Sequence, residues 1–572
     1  MKQVLVCLFI LCSFITKAQV YNNEWIDYSK TYYKFKVGKN GVHRISQAAL
    51  TSAGLGSAPA QHFQLWRNGA QIPIYTSVPS GALSVNDYIE FWGVLNDGKP
   101  DKELYRQPEY QLNDKWSLET DTSTYFLTLN AAGNNLRLTV TANNVTGTTL
   151  QPEPYFMHTA GNYFRDRTIL DTVINGQSTT EVLLNTPMQA PPRPGKESYT
   201  YKINPGYAVN VGEYLYSSSY DKAEGFSSQD LGTGSSITTT FKNLFVYSAG
   251  PTPLFRINTS GNAINIRKYR AEINNQVVLE NNVDYFTYTR DSIAFPISHL
   301  SSDNALVRVT NVTNTANDRM VVHKIEVTYP RQFNFGGASN FEFSLPQSSV
   351  DRYLEIRGFS YGATAPVLYD LTNGKRYVAD ISTPLVVKVV VEASAAASRL
   401  VLVNQETANV TFTGPLQSRV FTNYSLPANV GDYIIISNPA LFNGAGSTNP
   451  VEAYRVYRST PEGGGYKAKT FLIEDLTDQF AFGIKVHPGA IRNFLMYARA
   501  RFSAPPKHVL LIGKGVNYAD HRANELNPDL AKLHFVPTFG RPASDVLLSA
   551  LPGDGYPLTP IGRLSVINAA EV

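Results

Sequence analysis

Cysteine is almost missing from this chain. Only Cys7 and Cys12 occur, both within the first eighteen positions. Between positions 19 and 572 there is none, which excludes disulfides, cysteine-ligated zinc and a thiol nucleophile from that span. Charge is also scarce, at 17% of residues, with no dense Lys/Arg cluster, so nothing points to nucleic acid or an anionic membrane surface. Long apolar runs are absent too. The twelve-residue segment 4–15 is too short to span a bilayer, and no transmembrane span is expected.

What is present is the composition of a folded, strand-rich protein: 43% hydrophobic residues, 34 Tyr and 29 Phe in 572 positions, enough for two to four domains. Residues 1–18 read as an export signal, with Lys2, the apolar segment and Thr16-Lys17-Ala18 before a cut at Gln19. Leu11 precedes Cys12, where a lipoprotein signal needs a small residue. Loss of Lys2 and Lys17 lowers the formal charge from +4 to +2, with 48 Lys and Arg against 46 Asp and Glu.

Residues 19–154 are expected to form an N-terminal β domain. "YYKFKVGKNGVHRIS" reads as a hairpin about Lys39-Asn40-Gly41, "DYIEFWGV" and "STYFLTL" as strands, and residues 95–114 as a polar loop. Residues 155–427 continue with short strands and regular turns, the pattern of a β-sandwich, with a rigid loop at Pro191-Pro192-Arg193-Pro194-Gly195. From 428 to 572 the texture becomes α/β. "DYIIIS", "YKAKTFLIE", "HVLLIG" and "TPIGRLS" read as strands, alternating with helices that include a stripe at Ile491, Phe494, Leu495 and Ala498 behind Pro488. This alternation predicts a parallel sheet. Asn568 with Glu571 three positions on resembles a helix N-cap, and one turn of helix is not stable alone, so the sequence is expected to be cut short inside this domain.

Three motifs suggest chemistry and are read against it. Gly513-Lys514-Gly515 follows a strand, but a dinucleotide fingerprint needs a third glycine where Tyr518 stands, and "VNYADHRANELNPDL" reads as turns and not helix. A turn at the carboxyl edge of a sheet, lining a cleft, is expected instead. Gly358-Phe359-Ser360-Tyr361-Gly362 has the spacing of a nucleophile elbow, yet Pro366 and a strand follow it where a helix is required; a hairpin turn is expected. Asp520, His521, Glu525 and His534 have no helical spacing that supports a metal. No phosphate loop, paired-histidine metal motif or calcium loop is present. No residue is assigned as catalytic, cofactor-binding or metal-ligating, and no cofactor is expected.

The pieces "DYIIISNP", "AYRVYRST", "DLTDQFAFG", "HPGAIRNFLMYA", "PPKHVLLIGKG", "VPTFG", "SDVLL" and "IGRLSVINAAEV" stand in the order of the gingipain-type (C25-like) cysteine peptidases, and resemble most the type IX secretion sortase (PorU-like) branch. The leading strand motifs resemble the same branch. The resemblance implies a multidomain fold: a β-rich, sandwich-like N-terminal region followed by the first half of a caspase-like α/β domain. It implies that the Gly-x-Gly turn binds no nucleotide, that Lys514 stands where the family usually has Asp, and that Asp545 and Arg563 are structural. It implies a thiolate that attacks a peptide carbonyl with help from a histidine, and transfer of the acyl group to an amine as C-terminal sorting domains are removed from cargo. The family's His-Gly and Ala-Cys motifs lie after the Gly-Arg strand and are not in this sequence, so the chain as written is expected to be inactive. Expected partners are protein or peptide substrates (secreted cargo) and outer-membrane secretion-complex proteins, at the cell surface, outer membrane or outside the cell. A second reading stays open: a non-catalytic surface β-sandwich adhesin that binds glycan or protein.

Overall fold

The computed structural model describes residues 20–572 apart from 166, 171–179, 184–195, 200, 207–216, 302, 445, 447 and 524–526. The expected export segment 1–18, the Pro191–Gly195 stretch and Glu525 lie outside the described residues. None of the described helices is long and apolar enough to cross a membrane.

The first β unit packs two sheets. One runs Gln417–Val420, Thr31–Val37, Ser123–Leu129, Phe63–Arg67, Ala70–Ile72; the other runs Thr411–Phe412, Gly41–Ser46, Tyr88–Gly93, Tyr75–Thr76. Phe35, Ile45, Phe63, Ile89, Phe91 and Tyr125 fill the space between them. The expected hairpin at Lys39-Asn40-Gly41 is therefore a crossing between sheets. Thr31–Val37 is flanked on both edges, by 123–129 and 417–420, which leaves no edge for Gly41–Ser46. Strands near residues 411–420 thus complete a unit begun near residue 31.

Two further sandwiches follow. Arg319–Arg331 and Leu254–Gly261 centre one sheet of the first, packed on a sheet built from Ala305–Asn311 and Lys268–Ile273. In the second, Arg352–Phe359 and Ser398–Val403 lie in opposite sheets. Leu354, Ile356, Leu400 and Leu402 fill that core.

The last unit is a four-stranded parallel sheet in the order Ala468–Leu472, Tyr433–Ser437, His508–Ile512, Ile561–Leu564. All five residues of Tyr433–Ser437 are buried, because both faces are covered. Ile434 and Ile436 face the helices Ile473–Phe480 and Gly489–Arg501, while Tyr433 and Ile435 face the helix Pro450–Ser459. The stripe Ile491, Phe494, Leu495 and Ala498 is buried as its spacing requires. Arg492, Met496 and Tyr497 are buried too, because a second layer covers the helix. Tyr21 covers Tyr497, and the segment expected to be a polar loop covers Arg492. Short helical turns at Lys99–Leu104 and Pro108–Tyr110 place Leu104, Tyr105, Tyr110, Trp116 and Leu118 in the same core as Phe494 and Leu511. Two of the segment's acidic residues meet partners across this contact, Asp101 with His487 and Glu103 with Asn493, while Lys99, Lys102 and Glu109 are exposed.

Candidate active site

In open parallel sheets, ligands sit at the carboxyl ends of the strands. Here that edge is formed at Ser437, Leu472, Gly513 and Leu564. Gly513 has φ +133°, and a Cβ there would lie 2.8 Å from Phe535 Cβ, so only glycine fits. The Gly513 and Lys514 amides donate to Leu564 O and Val566 O at 2.9 Å, and the Lys514 carbonyl accepts from Phe535 N at 2.9 Å. The chain itself thus closes the turn and occupies the amides of Gly513 and Lys514. Lys514 makes no ion pair among the described residues.

Arg563 locks this edge. Its Nε and Nη2 grip Asp545 at 2.7 and 2.6 Å, Nη1 donates to Gly513 O at 2.7 Å and Val536 O at 2.8 Å, and Nη2 also reaches Pro537 O at 2.9 Å. All five guanidinium donors are used. The pair joins the 536–545 loop to two strand ends, which is structural work.

The expected run of turns after Gly515 contains a helix, Tyr518–Ala523. Asn517 caps it: its Oδ1 accepts Asp520 N at 3.0 Å and its Nδ2 donates to Asp520 Oδ2 at 2.7 Å. Tyr518, Ala519, His521 and Arg522 turn inward and are buried, while Asp520 turns outward. The sequence hid this helix because its inner face is mixed: Tyr518 and Ala519 join the aromatic core, while His521 and Arg522 meet polar partners. His521 and His534 meet edge to face at 5.3 Å. Burial first, then neighbouring cations or imidazole, lowers their pKa values to about 4 and about 3, so both are neutral at pH 7. Among the described residues no three His, Cys, Asp or Glu side chains gather as a metal site.

Sequence reasoning missed the polar groups that hold this edge to the β units. Asp121, from the first unit, accepts from both Nη atoms of Arg165 and from Arg522 Nη2 at 2.7 Å. All three side chains are fully buried. The guanidinium of Arg165 lies over Trp116 and Phe226 at 4.8 and 4.9 Å, and Arg522 donates to Ser117 O at 3.1 Å. Burial opposes the Asp121 charge, yet the two arginines outweigh it and hold its pKa well below the usual carboxylate range. Nearby, Tyr518 donates to Glu224, and Tyr220 donates to Glu119 Oε1 at 3.0 Å while stacking on Tyr518. Burial pushes Glu119 up to about 8, so it is mostly protonated at pH 7, and burial likewise raises Glu224 well above its ordinary value. His487 Nε2 lies 3.4 Å from Asp101 Oδ1, an ion-pair distance, and its Nδ1 accepts the Gly489 amide at 3.1 Å. Only the i, i+4 spacing of Tyr518 and Arg522 could have signalled this joint.

Ser360 is exposed and lies between strands of different sheets, so its turn is a crossing and not a hairpin. Arg352–Phe359 already has partners on both edges. No helix follows to aim the hydroxyl.

Taken together, the fold is that of a multidomain, strand-rich protein ending in a parallel α/β unit that can carry a site at its carboxyl edge. Residues 426–572 match the model of peptidase family C25. A solved structure of dimeric latent PorU from Porphyromonas gingivalis matches at 13% identity with a TM-score of 0.55, covering 96% of this chain and 49% of that one. The likeness extends the shared fold across the β units, and the chain spans about half the length of that protein. A carbohydrate-binding module of a xylanase from the hindgut metagenome of Trinervitermes trinervoides matches at 10% identity and TM-score 0.15, covering 22% of this chain and 90% of that one. The ANXUR1 extracellular domain from Arabidopsis thaliana matches at 10% and 0.18, covering 54% and 80%. Scores this low carry no argument. No curated protein matches.

Proposed function

We propose that this chain is the leading part of an exported gingipain-like cysteine peptidase, a type IX secretion sortase that removes C-terminal sorting domains from cargo at the cell surface. The observation that carries the reading is the C25 match over 426–572, a region with no cysteine of its own. The chain supplies the scaffold: a carboxyl edge locked by Arg563 and Asp545 and anchored to the β units through Arg522. The thiol and its histidine come from residues outside this sequence. In the reaction, the thiolate adds to the carbonyl carbon, the C–N bond breaks, and the sorting domain leaves as an amine that takes a proton from the histidine. Water or a second amine then attacks the thioester and frees the thiol.

The test uses the product of the whole coding region and a secreted cargo protein that carries its sorting domain. Mass spectrometry should find cargo shortened ahead of that domain, part of it joined to an added amine, with all cleavage lost after thiol alkylation. Intact cargo, or cleavage that survives alkylation, overturns the proposal.

A further inference from the structure

A cavity of about 670 Å³ lies away from the parallel sheet, between the first β unit and the second sandwich. That volume is in the ordinary range of ligand clefts, about 300–1,000 Å³. Its walls are two sheet edges. On one side, Ser77 N bonds Tyr88 O at 3.1 Å, so the alternation along Tyr75–Thr76 turns the Thr76 amide and carbonyl away from their own sheet. On the other, Thr139 N bonds Gly374 O at 2.7 Å, which turns the amide and carbonyl of Val140 outward in the same way. The two segments run parallel and touch at the Ile74–Arg137 bridge, where Leu138 N donates to Ile74 O at 2.8 Å, and then diverge around the cavity. A fork of this kind presents main-chain groups from both sides to an incoming strand.

The charge in the cavity is one-sided. Arg137 donates only to carbonyls, those of Leu136 at 3.0 Å, Ala60 at 3.1 Å and Gln61 at 2.8 Å, and it has no carboxylate partner among the described residues. The half-buried imidazole of His62 lines the same wall, and no Asp or Glu lines the cavity. A guanidinium partly withdrawn from water without an anion favours an anionic occupant.

We propose that this fork binds an extended polypeptide of another protein by strand addition, with an acidic side chain placed against Arg137. Main-chain groups of Thr76 and Val140 hold the strand, Tyr75 offers an apolar surface to its side chains, and Arg137 selects for the carboxylate.

The probe is the peptide acetyl-TVTDVT-amide, titrated calorimetrically into the full chain. Binding is expected, weakening at least tenfold when the peptide's aspartate is replaced by lysine. Val140 is 61% exposed, so Val140→Asp leaves the fold intact and is expected to weaken binding at least tenfold. Arg137→Gln should abolish the preference for the acidic peptide over its asparagine form. Circular dichroism melts confirm that both variants are folded. No binding by the folded wild type, binding that ignores both substitutions, or binding of a neutral oligosaccharide in place of the peptide overturns the proposal.

Discussion

Arg522 and Asp121, 401 positions apart in the sequence, meet at 2.7 Å with neither side chain exposed. The contact joins the helix after the Gly-x-Gly turn to the first β unit, and Arg165 completes it from the sandwich that follows. A carboxylate between two buried guanidinium groups is stable only while all members are present. Asp121→Asn leaves two buried cations without their counter-charge, and is expected to cost about 3–5 kcal/mol in chemical denaturation. Hydrogen exchange should quicken first at residues 516–523. Unchanged stability with unchanged exchange would contradict the role given to this triad.

Glu119 yields a pH prediction. In the unfolded chain it ionises near its ordinary value, whereas burial holds it protonated in the folded chain up to about pH 8. Between those limits the folded state binds more protons than the unfolded one, so this group's contribution falls as pH rises and levels off above about 8. Glu119→Gln keeps a carbonyl for the Tyr220 hydroxyl and has no charge to bury. Its melting temperature should match the wild type near pH 5 and exceed it by several degrees at pH 9. An equal difference at both values would contradict the assignment.

Arg563→Lys removes a five-donor fork and replaces it with a point charge. A loss of about 2–4 kcal/mol is expected, with faster proteolysis inside 536–545, since the loop keeps fewer of its ties to the strand ends. Asp545→Asn should cost less, because Gly513, Val536 and Pro537 still accept from Arg563.

Ser360→Ala is the opposite kind of change. The residue is exposed and its turn has no helix behind it, so stability should stay within about 0.5 kcal/mol. Any esterase or peptidase reading should be unaltered. A loss of hydrolysis would revive the nucleophile-elbow reading.

Much of the α/β unit was legible in the sequence because it follows simple periods. The run at 433–437 is apolar because both faces are covered, and the stripe from Ile491 to Ala498 marks the helix face on the sheet. Illegible features are those where a local pattern serves a distant partner. Lys39-Asn40-Gly41 has hairpin chemistry, yet the returning strand at 417–420 takes the edge a hairpin would need. Tyr518, His521 and Arg522 look solvated in sequence and are buried against Glu224, His534 and Asp121. A buried ion pair across 401 positions leaves no periodic trace. Absence of cysteine, by contrast, was read directly from composition.

The proposed function treats residues 19–572 as peptidase scaffold that contains no thiol. Its most direct test is to incubate the purified, folded 19–572 chain with a peptide library and to follow new amino termini by mass spectrometry. The account predicts no cleavage above the buffer control. Sustained cleavage that copurifies with this chain and persists after thiol alkylation would contradict it.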